Sequence, residues 1–230
     1  MRNIILLFIS ILIVSCGVQP SKKVEAEKRL YDSLNIDSSI IQGLRQYSYA
    51  EVELFHYSLS RQVNEDGSET ELEPFYLPGL VFKETAVKAE RLLEKLHDNF
   101  MAKGYTLFII DKNFGIDDKP DVMAILKTTD KYEILSKIQT NGINYDIDTD
   151  SLLQIIKVLD TKYSLNLVGA SGDWCEFKIE KEPTDWLTFA NEAYTFCPDI
   201  VDQGTGSVEE LAEEMKKQKM TTLVQDGLIK

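Results

Sequence analysis

Histidine is almost missing from this sequence: 230 residues contain two, His56 and His97, and neither lies in a recognisable motif. Cysteine is nearly as scarce, at Cys16, Cys175 and Cys197. Groups so few and so scattered compose neither a zinc site of ligand spacing nor a disulfide framework. Basic charge is short too. Lys and Arg number 25 against 38 Asp and Glu, a formal charge of −13, and such a surface repels nucleic acid and anionic headgroups. No internal repeat or low-complexity tract is present, and 43% hydrophobic content excludes disorder over most of the length.

What the chain does have begins at its first residues, MRNIILLFISILIVSC, with one charge at Arg2 and an apolar stretch over 4–12. That stretch is shorter than the about 20 residues a spanning helix needs, and its layout is that of a secretory signal. The tetrad Ile13-Val14-Ser15-Cys16 resembles the lipobox of bacterial lipoproteins. The resemblance implies cleavage before Cys16, which then carries fatty acyl chains such as palmitate, enough for stable anchoring without a protein span. Removing 1–15 leaves 24 basic against 38 acidic residues, a formal charge of −14. Gly17 stands where, by resemblance, an acidic residue would retain a lipoprotein at the inner membrane; the expected address is the outer membrane, facing the periplasm.

Four segments follow from the patterning: a signal peptide (1–15), a lipidated tether (16–28), an N-terminal helix and hairpin region (29–83) and an α+β domain (84–230). The segment 50–61 reads as a strand and, after a turn bearing Asp66-Gly67, 73–83 reads as its hairpin partner. Thr85 opens a helix with Ala89, Leu92, Leu93, Leu96 and Phe100 at helical spacing, and His97 falls on its polar, solvated side. Short apolar runs at 105–110 and 122–126 read as buried strands. Asp130 with Glu133 starts a helix, and a second covers 150–163. After 166–170, Cys175, Phe177 and Ile179 alternate with Trp174, Glu176 and Lys178, which reads as a half-exposed strand with Trp174 on its polar face. A helix from Thr184 stops at Pro198, Ser207 and Glu210 form a capping box for the last helix, and a strand covers 221–224. The class is α+β: an antiparallel sheet covered by helices, with ferredoxin-like βαββαβ order in the C-terminal half and its helices on one face.

Three clauses in this order, TNGINYDIDTD (140–150), VGASGDW (168–174) and FCPDIVDQGTGSVEEL (196–211), resemble the bacterial family catalogued as domain of unknown function 4253. The resemblance spans roughly 75–226. It implies a fold and positions to watch, and it brings no chemistry with it. The chain departs from the family pattern in carrying Leu223-Val224-Gln225 before Asp226, where relatives have a tryptophan-rich strand, and in being exported.

The candidate residues each admit a plain structural reading. Asp146, Asp148 and Asp150 begin like a calcium loop, but the sixth position is Ser151 and the twelfth Lys157, so an N-terminal cap fits better and no metal is expected. Cys197 lies at a helix C-terminus, where the dipole disfavours a thiolate, and on the stripe of Trp186, Ala190 and Ala193; it reads as a buried structural cysteine. A Cys175 to Cys197 disulfide is the lesser option in an oxidising compartment. Asp199, Asp202 and Gln203 share a loop with Gly204 and Gly206, whose backbone freedom lets a ligand approach or the carboxylates bond local amides.

The expected surface therefore comprises Asn141, Tyr145, Asp146, Asp173, an exposed Trp174, Asp199, Asp202 and Gln203. The leading expectation is a membrane-anchored, non-enzymatic module that binds an envelope protein or a small ligand there, without a cofactor. The alternative is an enzyme using a carboxylate-rich cleft of Asp146, Asp199 and Asp202 near Cys197, favoured if these groups converge.

Overall fold

A computed structural model describes residues 22–57, 62–63, 69–70, 75–114 and 118–225. The signal segment, Cys16 and the Asp66-Gly67 turn lie outside these residues. Two short helices come first, α1 (Lys22–Ser33) and α2 (Ser38–Arg45), where the sequence shows only an amphipathic stretch; Asp37 caps α2 by accepting from the Ser39 amide. Strand β1 (Glu53–Tyr57) pairs antiparallel with β4 (Phe75–Glu84), and the minor strands β2 (Gln62–Val63) and β3 (Glu69–Thr70) continue the register of Tyr57 opposite Phe75. The hairpin expected from the turn residues is therefore present.

Helix α3 (Ala86–Met101) follows, then β5 (Thr106–Asp111) and β6 (Asp121–Leu126), α4 (Lys131–Ile138), a 3-10 turn (Ile143–Tyr145) and α5 (Thr149–Tyr163). The chain closes with β7 (Leu165–Ala170), β8 (Trp174–Ile179), α6 (Trp186–Phe196), a π-helical turn (Ile200–Thr205), α7 (Val208–Gln218) and β9 (Met220–Gln225). The starts of these helices are written locally. Asp130 accepts from the Tyr132 and Glu133 amides, Asp148 from Ser151, Asp185 from Leu187 and Ser207 from Glu210. Each side chain satisfies an amide that the first turn leaves without a helical partner. Thr85 occupies the cap position of α3 without a side-chain bond, and Asp185, one residue after Thr184, is the cap of α6.

The seven main strands form one sheet in the order β1-β4-β6-β5-β7-β8-β9, antiparallel except where β5 meets β7. The βαββαβ succession from β6 holds along the chain, with each helical position doubled. In space β5 inserts between β6 and β7, and β9 joins the outer side of β8. Helices α4 to α7 bury one face of the sheet, over Phe108, Ala124, Leu167 and Phe177, as expected. The opposite face is covered by α2 and α3 through Ile40, Leu44, Leu92, Leu96 and Phe100, which pack on Leu80, Leu107, Met123 and Ile125. A sheet wrapped on both faces explains why β5 and β6 read as nearly continuous apolar runs.

Two sequence readings are overturned by that second layer. Trp174 is not exposed: it retains 4% of its surface and joins the α3-side core. Alternation along β8 identifies two faces, but the face with Trp174 is also covered at that end. His97 is not solvated either, being 2% exposed, because the flank of α3 next to its apolar stripe leans on β7. Its Nε2 lies 2.9 Å from the Leu167 carbonyl, which can only accept, so Nε2 donates. Among the described residues no helix is long and apolar enough to cross a membrane.

Candidate functional site

The residues singled out in the sequence gather at the end of the sheet where β7 turns into β8. Gly142 and Ile147 pair through both their backbone groups and close a loop around the 3-10 turn; its exposed Asp146 takes a left-handed φ of 56°. This loop is fastened to the β7–β8 turn. The Asn141 amide donates to the Gly172 carbonyl at 2.9 Å, and Thr140 Oγ1 to the Ser171 carbonyl at 2.6 Å. Asp173 accepts from Ser171 Oγ at 2.9 Å.

Tyr145 points from this loop to the segment after α6, where its hydroxyl donates to the buried Asp199 carboxylate. That bond, reinforced by burial and by the negative charges of Asp199 and Asp202, drives the Tyr145 phenol well above the ordinary tyrosine range. Asp202 accepts from Tyr194 at 3.3 Å, and Gln203 is exposed on the π-helical turn. The turn ends as the Gly206 amide bonds the Val201 carbonyl at 2.8 Å with φ of 83°, a conformation that glycine adopts without strain.

Tyr145, Asp199, Asp202 and Cys197 thus converge, while Trp174 is buried in the layer on the far side of the sheet. Both aspartates accept from phenols of other segments, Asp199 from Tyr145 and Asp202 from Tyr194. The chemistry available is that of a fastening: a phenol held protonated is a donor, not a base or nucleophile. Cys197 and Cys175 are 1% and 0% exposed thiols in one core, and no disulfide joins them. Asp148 caps α5, and no group of three potential metal ligands occurs among the described residues.

A second site was not legible. Helix α3 covers its face of the sheet only in part, and beside it, over β7 and β8, runs an open groove of about 990 Å³. Its floor is Val168, Glu176 and Lys178, one wall is the Arg91, Glu94 and Asp98 side of α3, and Lys219 and Met220 close the far end. Lys178 bonds both oxygens of Asp98, at 3.0 and 3.1 Å, and this holds the Asp98 carboxyl below its ordinary range. Burial works to lower the Lys178 ammonium, but Asp98 and Glu180 outweigh it and raise it. Lys112 pairs with Glu176 at 3.0 Å, with its ammonium 5.5 Å from the Phe114 ring centroid and 5.9 Å from that of Trp174. The polar positions of β8 were visible as a pattern; their meeting with α3 was not.

Residues 122–226, from β6 to β9, match the sequence model of the family described as domain of unknown function (DUF4253). The match is narrower than the span of 75–226 suggested by the resembling clauses. No curated protein and no solved structure matches the chain.

Proposed function

We propose that this chain is a lipid-anchored, non-enzymatic binding protein of the cell envelope, held at the outer membrane through Cys16 and facing the periplasm. Its ligand is a protein segment of mixed charge, taken up in the groove between α3 and β7–β8. The observation that carries this reading is the groove itself. At about 990 Å³ it stands at the upper end of the about 300–1,000 Å³ usual for ligand sites, and it presents both signs of charge beside the exposed Val87 and the half-buried Leu93 and Met220. Such a lining suits a polypeptide better than a singly charged metabolite. Anchoring is supported by the lipobox-like tetrad alone.

One observation favours an enzyme instead: Tyr145, Asp199 and Asp202 come together with Cys197. Against it stand the raised phenol and the burial of the thiol. Crosslinking pull-down from native membranes separates the readings. Wild type is compared with an Arg91→Glu, Glu94→Lys groove variant and an Asp199→Ala, Asp202→Ala variant, each shown by circular dichroism to be folded at the temperature of the experiment. A partner kept by the aspartate variant and lost by the groove variant supports the groove. Loss with the aspartate variant alone moves the site to the loops; no capture at all overturns the binding reading and turns the search to substrates.

A further inference from the structure

We infer that the face formed by α1 and α2 lies on the surface of the phospholipid bilayer, so that the anchored domain has a fixed orientation. This rests on acylation of Cys16. Five residues, 17–21, separate Cys16 from Lys22, the first residue of α1, which makes six residue steps. At about 3.3–3.6 Å per extended residue, that places the start of α1 within about 22 Å of the acylated cysteine. The domain therefore meets the membrane near α1.

What α1 and α2 present there is an apolar groove of about 490 Å³ lined by Val24, Tyr31, Ile41 and Tyr49. Tyr49 is 83% and Val24 55% exposed, large values for such side chains. Three charged side chains also line this groove: Glu27 and Arg45 are engaged, while Lys28 is exposed and of the sign that an anionic leaflet attracts. Arg45 bonds Glu27 at 3.1 Å, Tyr31 Oη at 2.9 Å and the Ala50 carbonyl at 2.9 Å. The Arg45–Glu27 pair then adds no net charge to be desolvated against the headgroups. An exposed tyrosine beside aliphatic side chains suits the interfacial zone, where an apolar ring body and a wet hydroxyl are both accommodated.

Charge acts in the same direction. Residues 17–50 carry five Lys and Arg against four Asp and Glu, a formal +1, whereas residues 51–230 carry 19 against 34, a formal −15. An anionic leaflet attracts basic groups near its surface and repels the acidic body, over about one Debye length. The α1–α2 end is the part of this protein that such a surface tolerates.

The test uses the full lipidated chain in vesicles of phosphatidylethanolamine and phosphatidylglycerol. A nitroxide is attached at Tyr49→Cys, at Val24→Cys, or at Val158→Cys, a control site 58% exposed on α5. The labels at 49 and 24 are expected to lose contact with an aqueous nickel chelate and gain contact with oxygen, while the label at 158 stays aqueous. Labels at 49 and 24 as aqueous as that at 158 overturn the docking. Mass spectrometry of the same preparation checks acylation of Cys16: its absence removes the anchor and this inference together, whereas acylated protein with aqueous labels removes the docking alone.

Discussion

Gly169 lies directly beneath the Trp174 ring: a Cβ on this glycine would fall 2.2 Å from Cζ3 and 2.4 Å from Cη2. The indole is therefore seated where one strand lacks a side chain, against the next strand of the same sheet. Gly169→Ala is expected to cost about 1–3 kcal/mol, the usual penalty of overpacking a core, read as a lower denaturation midpoint with altered tryptophan emission. Adding Trp174→Ala should cost less than the sum of the single changes, because the clash vanishes. Additive losses would refute the contact.

Asp160 joins α5 to α4 and to the start of β7. Burial acts to raise its carboxyl, but bonds from Tyr132 at 2.6 Å, Lys131 at 3.0 Å and the Leu165 amide at 2.8 Å outweigh this and lower it. A lowered carboxylate contributes stability that is fully present above its unfolded value, near pH 4, and lost as pH falls through the folded one. Asp160→Asn should lose about 1–3 kcal/mol at neutral pH and show a shallower acid limb below about pH 4. Denaturant titrations across the acid range check both.

Tyr145 is raised by its bond to Asp199, so the folded state favours the protonated phenol. Its contribution is fully present below the ordinary tyrosine value near pH 10 and fades as pH rises through the elevated one. Spectrophotometric titration of Tyr145→Phe should lack one phenol of the late-titrating group and keep those in the ordinary range. The variant should also melt at a lower temperature, since Asp199 is left buried without that donor.

Both core thiols should be silent in the native protein. With Cys16 replaced by Ser, neither Cys175 nor Cys197 is expected to react with a maleimide until denaturant is added, when two equivalents react without reductant. Native labelling at Cys197 would show an accessible thiol and revive the enzymatic reading. A need for reductant would show that the two had paired.

Much of the architecture is legible residue by residue. Ser207 with Glu210, Asp130 and Asp148 mark helix starts because a cap is a contact within four residues of sequence. The strands at 105–110, 122–126 and 166–170 announce themselves because they are short apolar runs between turn residues. The three family clauses likewise lie within the matched domain.

The sequence by itself determined the local elements, their order and the strongly acidic balance. Only the tertiary structure decided which side of β8 meets water, why His97 is buried, that Tyr145 reaches Asp199, and that α3 leaves a groove over Glu176 and Lys178. Periodicity reports that a strand or helix has two faces. What covers each face depends on elements brought together across about seventy residues, as with His97 and Leu167, and pairings at that range leave no local signature.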